Sequence, residues 1–448
     1  TSDVQLPYRH TVKRVALLIG LVTVLNLVML AGTALFKLYY RSIGRNWEAG
    51  SSIKYLLVQF DLALENVLAS WYSSLLLLLV AVVALICFVV DRNQLKAKRA
   101  RLLAFGWVPF AFAFLMLSLD EAGSLHERLG MLSVLNPFGD FALGWVDLFV
   151  VPIGVAAIFI AAFGWFHIGR NRRAFAFMLV GILLLATIPF QEKIEVWLWH
   201  SAVDRDNWQR PVWHIFFEEG AELFGIQSIL IATLLYLNEA VKRVGGSEWA
   251  NGHQIMLRFR RVVGLGGVVG LGALFIVGNF AWTIAAPYLT EGDSGLVQNW
   301  FPGALAFLAA LICFYVADTV ETLRPFYVLW GLLLLFLCVY YGANGQGWLW
   351  GGPRAVLRYM INGGVAATAV LLTVLIAWQK QFSWLGWGLI LWALSLALAL
   401  SSGSSYAEPL DFAAGVILFL LLSVDLYQYQ AGTQNVQRTE LYQQGVPK

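Results

Sequence analysis

Charge is scarce in this chain. Lys, Arg, Asp and Glu together make up 13% of its residues, where a soluble globular domain carries about 25%, and that excludes an ordinary water-soluble fold. Cysteine is scarcer still. The three present, Cys87, Cys313 and Cys338, all fall inside apolar runs and read as small buried hydrophobes, which excludes a disulfide framework and a thiolate metal site. Also missing are the ~10-residue alternating segments of a membrane β-barrel and any basic stripe for nucleic acid. The run Gly264-x-Gly266-Gly267-x-x-Gly270 opens an apolar helix outside any strand–turn–helix setting, so it reads as close helix packing and not as a nucleotide-binding loop. Neither nucleic acid nor nucleotide is an expected partner.

What the chain has in abundance is apolar sequence. Of its 448 residues 59% are hydrophobic, and the mean hydropathy is +0.71. Twelve apolar stretches recur, at roughly 14–36, 69–90, 102–119, 144–166, 174–190, 212–237, 262–286, 299–317, 325–342, 355–377, 383–400 and 409–427. Runs of this length match the ~30 Å hydrocarbon core of a bilayer. The expected fold is all-α: a polytopic integral membrane protein of about twelve transmembrane helices, with the lipid bilayer as its first partner. The first run is too long for a signal-peptide core and reads as helix one.

The scarce charges are sorted by sign. Basic residues gather after the second, fourth and sixth runs: Arg92, Lys96, Lys98, Arg99 and Arg101; Arg170, Arg172 and Arg173; Lys242, Arg243, Arg258, Arg260 and Arg261. The positive-inside rule makes these connections cytoplasmic. Both termini are then cytoplasmic, in a multi-pass chain of the cell inner membrane, and the intervening connections lie on the outer, periplasmic side. Asp120 lies 19 residues past Arg101, ~28 Å along a helix, and so reaches the outer interface.

The chain also reads as a tandem duplication, a first six-helix half over 1–245 and a second over 246–448, related as parallel repeats. Val83-Ala84-Leu85-Ile86-Cys87-Phe88 returns as Ala309-Ala310-Leu311-Ile312-Cys313-Phe314. Trp71-Tyr72 returns as Trp300-Phe301, and Gly154-Val155-Ala156-Ala157 as Gly364-Val365-Ala366-Ala367. The repeat fails at one place: the acids and histidine that close the third run have no counterpart after Tyr341.

Those residues form an acidic and histidine-bearing rim in the first half. Asp120-Glu121 with His126-Glu127, Glu192 and Glu195 with His200, and His214 with Glu218, Glu219 and Glu222 all fall at the outer ends of apolar runs. His214, Glu218 and Glu222 are four apart and share one helix stripe. Imidazole nitrogen with carboxylate oxygen suits a Zn-like divalent metal, with His126, Glu127, His214, Glu218, Glu222 and Asp120 as candidate ligands. Glu121, Glu127 and Glu219 are candidate catalytic acid–base groups. No HxxxH, HExxH or ExxH pattern is present. A structural network, a metal site and a proton- or cation-binding cluster therefore all fit, and the cofactor stays open. Residues 53–71 read as an amphipathic helix on the outer interface that brings Asp61 or Glu65 to the rim.

Phe60-Asp61-Leu62-x-x-Glu65-Asn66 running into Trp71-Tyr72-Ser73-Ser74, then Asp120-Glu121 with His126-Glu127, then Glu218-Glu219-Gly220-x-Glu222 resemble a family of bacterial polytopic membrane proteins that carry DExxxxHE and EEGxE segments and have no established function. The resemblance spans roughly 55–238 and implies a membrane-embedded helical fold. The reading favoured from the residues is an integral membrane subunit or scaffold of a larger assembly, with other membrane subunits as partners. The small-residue stripe at Gly264–Gly270 and the polar tail from Gln430 to Lys448 offer contact surfaces for them. Two alternatives accompany it: a metal-dependent hydrolase acting at the lipid interface, and a transporter of an apolar or weakly polar solute.

Overall fold

The computed structural model describes residues 6–43, 57–64, 67–94, 103–123, 145–201, 210–243 and 324–342, together with 300, 303–304, 306–311, 313–314 and 317. Every regular element among them is helical. In chain order these are α1 (Leu6–Ile43), α2 (Leu68–Gln94), α3 (Trp107–Gly123), α4 (Trp145–Phe163), a π-helical turn at Gly164–Ile168, α5 (Arg172–Ser201), α6 (Val212–Arg243) and α7 (Arg324–Gly342). Among the described residues, five stretches are long and apolar enough to cross a bilayer: Val15–Tyr40, Leu68–Arg92, Val151–Ile168, Arg172–Glu195 and Val212–Val241. The chain is a multi-pass helical membrane protein. The expected runs at 262–286, 355–377, 383–400 and 409–427, and with them the Gly264–Gly270 stripe, lie outside the described residues.

Two compact units divide the chain, Thr1–Val262 with Leu289–Glu291, and Val263–Tyr288 with Gly292–Lys448. In the second, α7 buries Trp330, Leu334 and Cys338, while Trp300 and Cys313 are also buried. Gly331 lets the Phe314 ring approach so closely that a Cβ there would lie 2.6 Å from it.

The first unit is built around α2 and α6. The apolar window of α2 is 72% buried, against 22% for α1 and 17% for α5, so α2 is an inner helix and the other two show most of their surface to lipid. α6 is the hub, packing against α5, α2 and α1, while α2 also packs against α3. The α5–α6 hairpin closes tightly because two glycines face each other: a Cβ on Gly181 would lie 2.8 Å from the Gly225 carbonyl oxygen and 2.5 Å from Ile229 Cγ1. Pro109 sits in the first turn of α3, where its missing N–H costs nothing.

The bundle is tied at mid-height by side chains, which matters in lipid because apolar contact alone does not choose a neighbour there. Asn26 of α1 donates through Nδ2 to Gln227 Oε1 of α6 at 2.8 Å and accepts from the Tyr72 hydroxyl of α2 at 2.6 Å. Gln227 Nε2 donates to Thr23 Oγ1 at 2.6 Å.

The segment before α2 corrects one expectation. Leu57 and Val58 are helical and residues 59–64 form a turn folded inward, so the amphipathic helix expected over 53–71 does not run unbroken into α2; residues 53–56, 65 and 66 lie outside the described residues. Gly32 of α1 makes room, since a Cβ there would meet Phe60 Cβ at 2.5 Å. The turn serves as the start signal of α2: Gln59 Oε1 accepts from Leu68 N at 3.2 Å, and Ser70 Oγ accepts from Val67 N at 3.2 Å, the reciprocal half of a capping box. Asp61 is buried by this turn and pairs with Lys37 of α1 at 2.7 Å.

Candidate functional site

The antiparallel α5–α6 hairpin brings the last third of α5 against the first turns of α6. Pro211 opens the first turn of α6, its carbonyl accepting from His214 N at 3.0 Å. His214 and Glu218, four apart on α6, stand one above the other, and Arg210, two residues before the helix, reaches both them and Glu195 of α5. Arg210 is the centre of the arrangement. Its Nε lies 2.8 Å from Glu195 Oε2 on α5, its Nη2 contacts Glu218 Oε2, and its Nε also donates to His214 Nδ1 at 3.4 Å. His214 Nδ1 is 3.5 Å from Glu218 Oε2. His214 and Glu218 are buried, with side chains 2% and 8% exposed.

The imidazole tautomer follows from its partners. His214 Nε2 lies 3.0 Å from the Gln191 carbonyl oxygen, which can only accept, so Nε2 carries the hydrogen and donates it. Nδ1, accepting from Arg210, is left with its lone pair aimed into the cluster. A backbone carbonyl that fixes the far nitrogen in this way is the usual support of a metal-ligating histidine. One ligand atom each from Glu195, His214 and Glu218 lies within 4.8 Å of the others. The donor set, one imidazole and two carboxylates, suits Zn²⁺ and leaves a coordination position open. The guanidinium of Arg210 now neutralises the two carboxylates.

A second layer of acids adjoins the triad. The Glu219 carboxyl interacts electrostatically with Glu121, Arg210, Asp61 and Glu192. Glu121, in the last turn of α3, accepts from Ser73 Oγ at 2.6 Å. Among the side chains described at this end, Asp61, Asp120, Glu121, Glu192, Glu195, Glu218, Glu219 and Glu222 stand against Lys37, Lys193 and Arg210. An excess of carboxyl groups at the edge of a low-dielectric bundle calls for a cation or protons to offset it.

Of the six ligands expected from sequence, the structure brings His214 and Glu218 into the triad; Asp120 and Glu222 stand outside it. His126 and Glu127 lie outside the described residues, as do Glu65 and the His200 side chain. Of the expected acid–base groups, Glu121 and Glu219 interact with each other. The reading from sequence missed Arg210 and did not rank Glu195 among the ligands. Arg210 lies just before α6, ahead of Pro211, and a basic residue beside a helix that carries Glu218, Glu219 and Glu222 was a usable signal.

Residues 16–237 match the family model described as Domain of unknown function (DUF8692). The match begins within α1 and ends within α6, so it takes in the triad residues, Arg210 and the second acid layer. No curated protein and no solved structure matches the chain.

Proposed function

We propose that the protein is an integral membrane protein that binds one divalent transition-metal ion of the Zn²⁺ class at the Arg210 end of its bundle. Glu195, His214 and Glu218 are the ligands. Arg210 is the resident cation that the metal displaces. The observation that carries this reading is the orientation of His214: its Nε2–H is committed to the Gln191 carbonyl, its Nδ1 lies 3.5 Å from the Glu218 carboxylate, and Glu195 completes a group of ligand atoms within 4.8 Å of one another. The basic connections support placing this end on the outer face of the inner membrane, with cytoplasmic termini.

The test is elemental analysis of the purified full chain in detergent, loaded with Zn²⁺ and then dialysed. One zinc per chain is expected. His214→Ala and Glu218→Gln lose it. Arg210→Gln keeps it and binds roughly tenfold or more tightly, because a competing cation has gone; tenfold corresponds to about 1.4 kcal/mol. Absence of stoichiometric zinc from both the native chain and Arg210→Gln overturns the proposal.

An open coordination position is what a metal-dependent hydrolase at the lipid interface would use to hold water. Glu219, one residue from a ligand, is its candidate base. The subunit or scaffold role rests on a different observation. α4 exposes Val151, Val155 and Ile158 at 69%, 62% and 71% along one stripe and packs chiefly on α5, which leaves a broad apolar face for lipid or partner helices. Fixed partners that co-purify in mild detergent support that role, and a lone homogeneous particle counts against it. The duplication belongs to the same reading: Trp71 and Trp300, and Cys87 and Cys313, are buried at the positions it pairs.

A further inference from the structure

The opposite end of the first unit holds a second, smaller polar cluster. Asp91, in the last turns of α2, is 2% exposed. Three groups converge on its Oδ2: Trp107 Nε1 of α3 at 2.8 Å, the Tyr236 hydroxyl of α6 at 2.7 Å and His167 Nε2 at 2.7 Å. The Tyr236 hydroxyl is also 2.9 Å from His167 Nε2. Trp107 and Tyr236 are buried as deeply as Asp91. His167 belongs to the π-helical turn at Gly164–Ile168, and its ring stacks on Phe163 at 5.1 Å.

That turn is a built feature. A π turn inserts one extra residue into a helix and is retained mostly where it aims a functional side chain. Here the register after Phe163 carries His167 to Asp91. Gly169 is required just beyond it, because a Cβ at that position would lie 2.3 Å from the Trp165 carbonyl oxygen. Asn171 then restarts the regular helix: its Oδ1 accepts from Ala174 N at 3.1 Å, an N-cap for α5.

Counting protons shows what the cluster can do. A carboxylate oxygen and an imidazole nitrogen 2.7 Å apart need a hydrogen between them. The Trp107 N–H and the Tyr236 O–H each have one hydrogen to give, and both can give it to Asp91. His167 Nδ1 is then the position at which a proton can join or leave without breaking these bonds. His167 keeps 7% of its side chain exposed against 3% for Asp91, so of this pair it is the more accessible member.

We propose that Asp91 and His167 form a proton-exchange site at this end of the bundle. Water delivers a proton to His167 Nδ1, and the Nε2 proton passes to Asp91 Oδ2. The imidazole ends neutral and Asp91 ends as the acid, one proton having moved from water to the interior. The reverse sequence returns it. Trp107 and Tyr236 position the carboxyl and seal it from direct hydration. Among the described residues, Cys87 on α2 and Arg243 on α6 act electrostatically on Tyr236, the Arg243 guanidinium lying 5.6 Å from its ring centre. Arg92 lies over the Phe88 and Phe105 rings. Arg170, Arg172 and Arg173 around the turn are exposed. This site is independent of the metal reading and shares no residue with it.

Infrared difference spectroscopy of the full chain in lipid tests the proposal. The difference between the native chain and Asp91→Asn, followed from acid to alkaline buffer within the range where both stay folded, is expected to contain a carboxylic-acid C=O band that appears and disappears with pH. On transfer to D₂O that band shifts, and in His167→Gln the shift is slower by roughly tenfold or more, about 1.4 kcal/mol of added barrier. Asn and Gln keep hydrogen-bonding capacity at their positions, so both variants are expected to fold. A merely structural Asp91 gives no such band at any pH. That result, or an unchanged exchange rate in His167→Gln, overturns the proposal.

Discussion

Replacing Asn26 with leucine tests whether polar contacts hold α1 in the bundle. Asn26 is completely buried. The change removes the bond to Gln227 Oε1 at 2.8 Å and the one from the Tyr72 hydroxyl at 2.6 Å. Tyr72 has a fallback acceptor in the Val22 carbonyl at 3.2 Å. Gln227 Oε1 has no such fallback among its described bonds. Interhelical bonds in membranes average about 0.6 kcal/mol each. A buried acceptor left alone costs roughly 1–3 kcal/mol more. Together these predict a loss of about 2–4 kcal/mol. Gln227→Leu is milder, about 1 kcal/mol, because Asn26 keeps the Tyr72 hydroxyl and a 3.3 Å contact to the Leu223 carbonyl.

The decisive quantity is the double variant. With both partners apolar no orphaned acceptor remains, and Asn26→Leu/Gln227→Leu is expected to cost about as much as the milder single change. The two effects then fall short of additivity by at least about 1 kcal/mol. Reversible unfolding in bicelles, by steric trapping at tags on α1 and α6, measures all four corners of the cycle. Additivity to within about 0.5 kcal/mol, the behaviour of independent sites, would refute the argument that these two side chains act as one tie.

Three further outcomes follow from the same geometry. Lys37→Met strands the buried Asp61 carboxylate and is expected to lower stability by about 3–5 kcal/mol, most of it recovered by adding Asp61→Asn; thermal unfolding of the two variants decides. Gly181→Ala places a Cβ 2.8 Å from the Gly225 carbonyl and is expected to cost about 1–3 kcal/mol, whereas Gly20→Ala, with nothing within 4 Å, gains up to about 1 kcal/mol of helix propensity. Without metal, Arg210→Gln is expected to lose about 2–4 kcal/mol by uncovering Glu218, and zinc at a hundred times its Kd to restore about 2.7 kcal/mol. A melting temperature indifferent to zinc would count against the metal reading.

Much of the helical framework was legible because membrane helices are written as length plus apolarity. The expected run at 69–90 is α2, Leu68–Gln94, and that at 325–342 is α7, Arg324–Gly342. Hydropathy alone misjudged α5, expected at 174–190 and found at Arg172–Ser201. Gln191, Glu192, Lys193 and Glu195 end the apolar signal but not the helix, since Gln, Glu and Lys are good helix formers. The polar stripe of α6 was visible from its spacing. Its partner on α5 was not, because the pairing depends on hairpin register, set by Gly181 and Gly225. The inward turn at Asp61 escaped notice because Lys37, 24 residues earlier, holds it. Asp91 and His167 are 76 residues apart, and a π turn leaves no mark in hydropathy periodicity.

The residues that specify the fold and those offered for function lie on the same helix. In lipid, apolar packing does not discriminate strongly among neighbours, so polar bonds decide which helix goes where. α6 carries such bonds at three heights. His214 and Glu218, with Arg210 just before the helix, tie its start to α5. Gln227 ties its middle to α1. Tyr236 ties its end to α2 and the π turn. A metal among Glu195, His214 and Glu218 must loosen Arg210, the link that now closes the first of these ties. A proton on Asp91 changes the acceptor at the third. The two events act on opposite ends of one rigid element, about 22 residues and roughly 33 Å apart at 1.5 Å per residue. The Asn26–Gln227 tie lies between them, so the double-variant cycle also measures how firmly the hub is held where neither event acts directly.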